Sequence, residues 1–91
     1  MIDVSHGNSD KDPSRQPLVA AAVAEQIAQG NHAIAGLMLE SFLVAGSQAP
    51  GPLETLTYGQ SITDGCIGWD TTVEVLDGLA EAVRLRRERT A

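Results

Sequence analysis

The stretch that most narrows the possible folds is Ile34-Ala35-Gly36-Leu37-Met38-Leu39-Glu40, a continuous apolar run closed abruptly by a carboxylate. A run without polar alternation has no solvent-facing side. It fits a strand covered on both faces, the situation of parallel sheets flanked by helices. Two further segments share the habit of ending on an ionisable group. Met1 to Ser5 reads as a strand leading directly into His6, and Ser61-Ile62-Thr63-Asp64 reads as a third strand closing on Asp64.

The intervals between these segments read as helices and loops. His6 to Pro13 is filled with turn formers and is expected to be a loop. A helix follows, with Pro17 suited to its first turn and Leu18, Val19, Ala22, Val23 and Ile27 as its apolar stripe, running toward a stop at Gly30. An earlier first turn at Pro13, capped by Asp12, is the alternative start. Ser47 to Gly59 contains Pro50, Gly51 and Pro52 and reads as a long loop with room for a short helical turn. Gly65 to Trp69 is a compact connection. In the last helix Thr71 and Glu74 have capping-box spacing, and Val73, Leu76, Leu79, Ala80 and Val83 form one stripe.

Strand, helix, strand, loop, strand and helix in that order specify an α/β chain with parallel strands and right-handed crossovers. Three parallel strands alone would leave two open edges and an uncovered apolar face. The expectation is therefore the C-terminal piece of something larger, a barrel, with residues 1–91 forming one partial barrel domain.

Composition removes several function classes. The chain has 91 residues and a formal net charge of −6, from 6 basic and 12 acidic side chains, which disfavours binding to nucleic acid or an anionic membrane surface. The aliphatic stretch from Leu18 to Ala24 is far short of the ~20 residues that span a bilayer. No signal-peptide pattern is visible, and the single cysteine, Cys66, rules out an internal disulfide framework, so the expected compartment is the cytoplasm.

His6, Glu40 and Asp64 each sit at or just past the carboxyl end of an expected strand. In parallel α/β folds these ends form one rim, where binding and catalysis take place. One imidazole nitrogen and two carboxylates suit a divalent metal such as Mn²⁺, Fe²⁺, Co²⁺ or Zn²⁺. The competing reading is that such residues merely cap loops or bind water. Arg84, Arg86, Arg87 and Arg89 read as a solvated helix end rather than a phosphate site. His32 reads as an exposed loop residue, Cys66 as a small buried thiol, and Lys11 as an ordinary lysine in reach of the rim.

Several stretches together resemble the type I 3-deoxy-D-arabino-heptulosonate 7-phosphate (DAHP) synthases, the phospho-2-dehydro-3-deoxyheptonate aldolases. They are Met1 to Ser9, Gln26-Ile27, Gly36 to Ser41, the long run from Tyr58 to Trp69, and Leu79-Ala80 with Ala82-Val83 and Arg86-Arg87. The resemblance implies a (β/α)8 barrel whose last three strands this chain would supply. It also implies a condensation of phosphoenolpyruvate with D-erythrose 4-phosphate that releases phosphate and opens the route to chorismate and the aromatic amino acids. It implies a divalent metal held by His6, Glu40 and Asp64, with His6 and Asp64 also serving catalysis, and a homo-oligomer in the full-length enzyme. The family's fourth ligand is a cysteine on an early barrel strand, a different segment from that of Cys66, and its phosphate-holding cations also lie mostly upstream. After Ser41 the family pattern carries His or Asn and then Glu, where this chain has Phe42 and Ala45. The expectation is a C-terminal portion that is inactive alone. The alternative is a non-catalytic remnant that pairs with or regulates a full-length synthase.

Overall fold

The structure, a computed structural model, describes residues 1–9 and 12–90. Two short strands, β1 (Ile2–Asp3) and β2 (Leu37–Met38), pair in parallel with Ile2 opposite Leu37 and Asp3 opposite Met38. Main-chain bonds from Ile2 N to Gly36 O (3.0 Å) and from Val4 N to Met38 O (2.9 Å) extend the pairing at each end. The parallel sense expected from the apolar run at 34–40 is thus realised.

Helix α1 (Gln16–Ala28) crosses from β1 toward β2, and helix α2 (Trp69–Thr90) packs along it. Both starts considered for the first helix contribute to it. Asp12 Oδ1 accepts from the Ser14 backbone N–H at 3.0 Å and caps a 3-10 turn, Pro13–Arg15, that leads straight into α1. Pro17 then falls in the first turn of α1, where its missing N–H costs nothing. Gly30 ends the crossover with φ +105°, a left-handed conformation that a side chain would resist.

Four expectations need correction. His6–Ser9, read as part of a loop, winds into a 3-10 turn. Ser61 to Asp64 is not a strand. The Ser61 hydroxyl oxygen accepts from the Thr63 N–H at 3.1 Å, which bends the chain locally, and only a single bridge joins Ser61 to Ser47. Pairing resumes beyond it, where Ser41 bridges Ile67 in parallel and Gly46 bridges Cys66.

Thirdly, α2 begins at Trp69, so Thr71 lies inside the helix and cannot be its cap. Thr72, one residue further in, donates its hydroxyl back to Gly68 O at 2.8 Å and shares a 2.5 Å bond with Ser41 Oγ. Finally, the expected stripes hold only in part: Val23 and Ile27 are buried and Val19, Leu79 and Val83 pack against the core, while other stripe residues face out. Helix α1 buries Gln16, Ala20, Val23 and Ile27, leaving Leu18 70% exposed and Ala22 outside. Helix α2 buries Thr72, Val75 and Ala82, leaving Val73 and Leu76 39% and 51% exposed.

The core consists of Val4, Ala20, Val23, Ile27, Ile34, Ile67, Val75 and Ala82, with no aromatic among them. Phe42, Tyr58 and Trp69 are all exposed. The loop from 47 to 59 contains one 3-10 turn, Leu53–Thr55, as its length suggested. Among the described residues, no helix is long and apolar enough to cross a membrane.

Candidate metal centre

His6 follows β1 directly and adopts φ +50°, a left-handed backbone uncommon outside glycine. Local bonds hold this turn: Asn8 Nδ2 donates to Asp3 O at 2.5 Å, Asn8 N to Ser5 O at 3.2 Å, and Ser9 Oγ to His6 O at 3.2 Å. Glu40 lies two residues beyond β2. Its main chain is clasped by Gln16, whose Oε1 accepts from Glu40 N at 2.7 Å while Nε2 donates to Glu40 O at 3.1 Å. Ile67 N also donates to Glu40 O at 2.9 Å, which draws the segment after Asp64 against the end of β2.

These restraints bring together the three residues picked out in the sequence. His6 Nε2 lies 2.8 Å from Glu40 Oε1 and 3.5 Å from Asp64 Oδ2. One ligand atom from each of His6, Glu40 and Asp64 lies within 4.8 Å of the other two. Glu40 is the most sheltered of the three side chains and Asp64 the most open, at 21% and 72% exposure. A shallow cavity of about 250 Å³ opens over them, lined also by Ser5, Ser9, Pro13, Gln16 and Gly65.

The electrostatics favour a positive charge between the acids. His6 titrates above its ordinary 6.5, first through its bond to Asp3 and then through the charge of Glu40. The chemistry of the donor set suits a divalent cation, because one nitrogen with two carboxylates matches borderline to hard ions.

Two residues of this site were not evident from the sequence. Asp3 Oδ2 is 2.9 Å from His6 Nδ1, and its Oδ1 accepts from Ser5 N at 2.8 Å and Ser5 Oγ at 2.5 Å. These bonds hold the Asp3 carboxyl at about 2. Gln16 is the other; a polar residue 1% exposed among the apolar positions of α1 is the only local hint of it. Cys66 is half-buried and outside the cluster, its Sγ 3.6 Å from Asp64 O, and burial followed by the nearby Glu40 charge raises its thiol. His32 is exposed, and Lys11 lies outside the described residues. Arg84 pairs with Glu81 and Glu88 on its own helix, whereas Arg86 donates to Asn31 O (3.2 Å) and Ile34 O (3.0 Å). The helix end is therefore tied down as well as solvated.

Residues 1–77 match the profile of the DAHP synthetase I family. The chain belongs to that family. Family relatives include the phospho-2-dehydro-3-deoxyheptonate aldolase of Corynebacterium glutamicum, 53% identical over 94 residues, covering 96% of this chain and 26% of the relative. The Phe-sensitive phospho-2-dehydro-3-deoxyheptonate aldolase of Escherichia coli K12 is also 53% identical, over 96% of this chain and 25% of its own length. The solved phospho-2-dehydro-3-deoxyheptonate aldolase of Francisella tularensis superposes with a TM-score of 0.88 at 53% identity, covering 94% of this chain and 25% of that one. The chain thus spans about a quarter of the length of the relatives it matches.

Proposed function

We propose that this chain is the C-terminal part of a (β/α)8 barrel that condenses phosphoenolpyruvate with D-erythrose 4-phosphate, the opening step of aromatic amino acid biosynthesis. The observation that supports this reading is the convergence of His6, Glu40 and Asp64, with one ligand atom of each within 4.8 Å of the others, in a chain of the DAHP synthetase I family. The outward faces of the short sheet and of α2, where Trp69, Val73 and Leu76 are exposed, support a barrel whose neighbouring units would cover them.

A divalent cation held by His6, Glu40 and Asp64 would supply Lewis-acid polarisation of the aldehyde oxygen during carbon–carbon bond formation. The chain's own part is positional. His6 would offer Nε2 as a ligand, and Glu40, fixed through its main chain by Gln16, keeps its carboxylate toward the cavity. The two acids bring the negative charge that balances the cation. Among the described residues lining the cavity there is no Lys or Arg.

The test is phosphoenolpyruvate consumption in the presence of erythrose 4-phosphate, with and without chelator, by the protein expressed from its complete reading frame. Turnover is expected to be chelator-sensitive and to be abolished in Glu40→Ala. Full turnover in that variant refutes the assignment of Glu40, and the 91-residue chain assayed alone is expected to be inactive.

A further inference from the structure

Asp3 closes β1 three residues before His6, and its two carboxylate oxygens face different partners. Oδ1 takes both Ser5 donors, the N–H at 2.8 Å and the hydroxyl at 2.5 Å, which anchors the group on its own strand end. Oδ2 faces His6 Nδ1 at 2.9 Å. A carboxylate that receives donors in this way has only lone pairs to offer, so the hydrogen in the Oδ2–Nδ1 contact belongs to the imidazole. With Nδ1 protonated, the neutral ring carries its lone pair on Nε2. That is the nitrogen 2.8 Å from Glu40 Oε1 and 3.5 Å from Asp64 Oδ2.

The backbone reinforces the arrangement. The left-handed φ of His6, +50°, places its ring back alongside Asp3, and Asn8 ties down the carbonyl of Asp3 itself. Turning the ring over would lose the Asp3 bond and present a protonated nitrogen to the acids' side. Imidazole ligands in metal sites are commonly oriented by a carboxylate on the far nitrogen. We propose that Asp3 is the positioning residue of this site, holding His6 in the tautomer that aims the Nε2 lone pair at a divalent cation shared with Glu40 and Asp64. The inference rests on the metal reading of the cluster given above.

The test titrates the full chain with Co²⁺ and Zn²⁺, following cobalt absorption and competition with a chelator, and reads the two His6 ring nitrogens by ¹⁵N NMR in the zinc form. The parent chain is expected to bind through Nε2 with Nδ1 protonated. Asp3→Ala is expected to weaken binding ~10–100-fold and to release Nδ1 from its single protonated state. Asp3→Asn, whose amide oxygen can still accept from Nδ1, should fall between the two. Asp77→Asn removes the same charge from the exposed surface of α2 and should change affinity less than about twofold, because distant exposed charges are screened. Unchanged affinity and unchanged Nδ1 protonation in Asp3→Ala overturn the inference. So does loss of the helical circular dichroism in both Asp3 variants, which would make the carboxylate a determinant of folding instead. Failure of the parent chain to bind either metal overturns the metal reading itself and the inference with it.

Discussion

Replacing Gln16 by Leu isolates the clasp that sets the position of Glu40. Gln16 is 1% exposed, and its amide makes two bonds to one residue, accepting from Glu40 N at 2.7 Å and donating to Glu40 O at 3.1 Å. Leu has a similar volume, so the cavity cost is small and the lost bonds dominate. The Glu40 carbonyl keeps the Ile67 N–H at 2.9 Å, so losing its second donor costs about 0.5–1 kcal/mol. The Glu40 N–H loses its acceptor, a penalty of about 1–3 kcal/mol that the half-buried setting keeps toward the lower end. Together they amount to about 1.5–2.5 kcal/mol. With a urea dependence of about 1–1.5 kcal/mol/M for a small chain, the unfolding midpoint should drop by about 1–2.5 M. Circular dichroism of the helices follows the transition, and cobalt affinity should fall in the same variant, because the main chain that presents the Glu40 carboxylate is loosened. A loss below about 0.5 kcal/mol at unchanged urea dependence, well under one hydrogen bond's contribution, would refute the reasoning.

Three other perturbations probe different parts of the molecule. The folded value of His6 lies above its unfolded 6.5, so the metal-free chain draws stability from the charged imidazole below that pH and loses it as pH rises through the raised value. Asp3, held at about 2 against 3.8, contributes above 3.8 and loses its contribution as pH falls toward 2. The urea midpoint of the metal-free chain should therefore decline at both ends, and a midpoint that climbs above pH 6.5 contradicts the His6 assignment. Gly65→Ala would place a methyl 2.8 Å from Pro13 Cγ and 3.2 Å from Cδ, atoms of a rigid ring. Thermal unfolding should show a loss of about 1–3 kcal/mol, and a neutral result would mean that the Pro13 turn yields freely. Arg86→Met removes the donor to Asn31 O and Ile34 O and should cost about 1–2 kcal/mol in urea unfolding, whereas Arg84→Met, which breaks only exposed pairs, should leave the midpoint nearly unchanged. Equal effects of the two would remove the distinction.

The legible parts of the fold were those with local causes. Asp12, Pro13 and Pro17 mark a helix start through one cap and two prolines, and Gly30 marks its stop through a left-handed turn. The apolar run at 34–40 was rightly read as a parallel strand, although only Leu37 and Met38 complete the ladder. Ser61 to Asp64 misled because its apolar and β-branched residues favour extension, while the Ser61 hydroxyl captures the Thr63 amide and bends the chain. The helix faces were only partly legible, for another reason. Alanines and valines surround both helices, so several stripes satisfy a helical period, and only contact between α1 and α2 selects Ala20, Val23 and Ile27 on one and Val75 and Ala82 on the other.

By itself the sequence determined the start and stop of α1, the parallel strand within 34–40, the three ionisable groups of the candidate site, and the family to which it is similar. Each of these is written in residues a few positions apart, or in motifs that need no partner. Tertiary structure alone decided that His6 Nε2 meets Glu40 Oε1 and Asp64 Oδ2, that Asp3 backs the imidazole, and that Gln16 grips the strand end. The physical reason is that these contacts depend on the pairing of Ile2 with Leu37 and on the seating of α1 beneath the Glu40 main chain. Such registers are set by the simultaneous burial of Val4, Val23, Ile34 and Ile67, residues that become neighbours only once the chain has closed on itself.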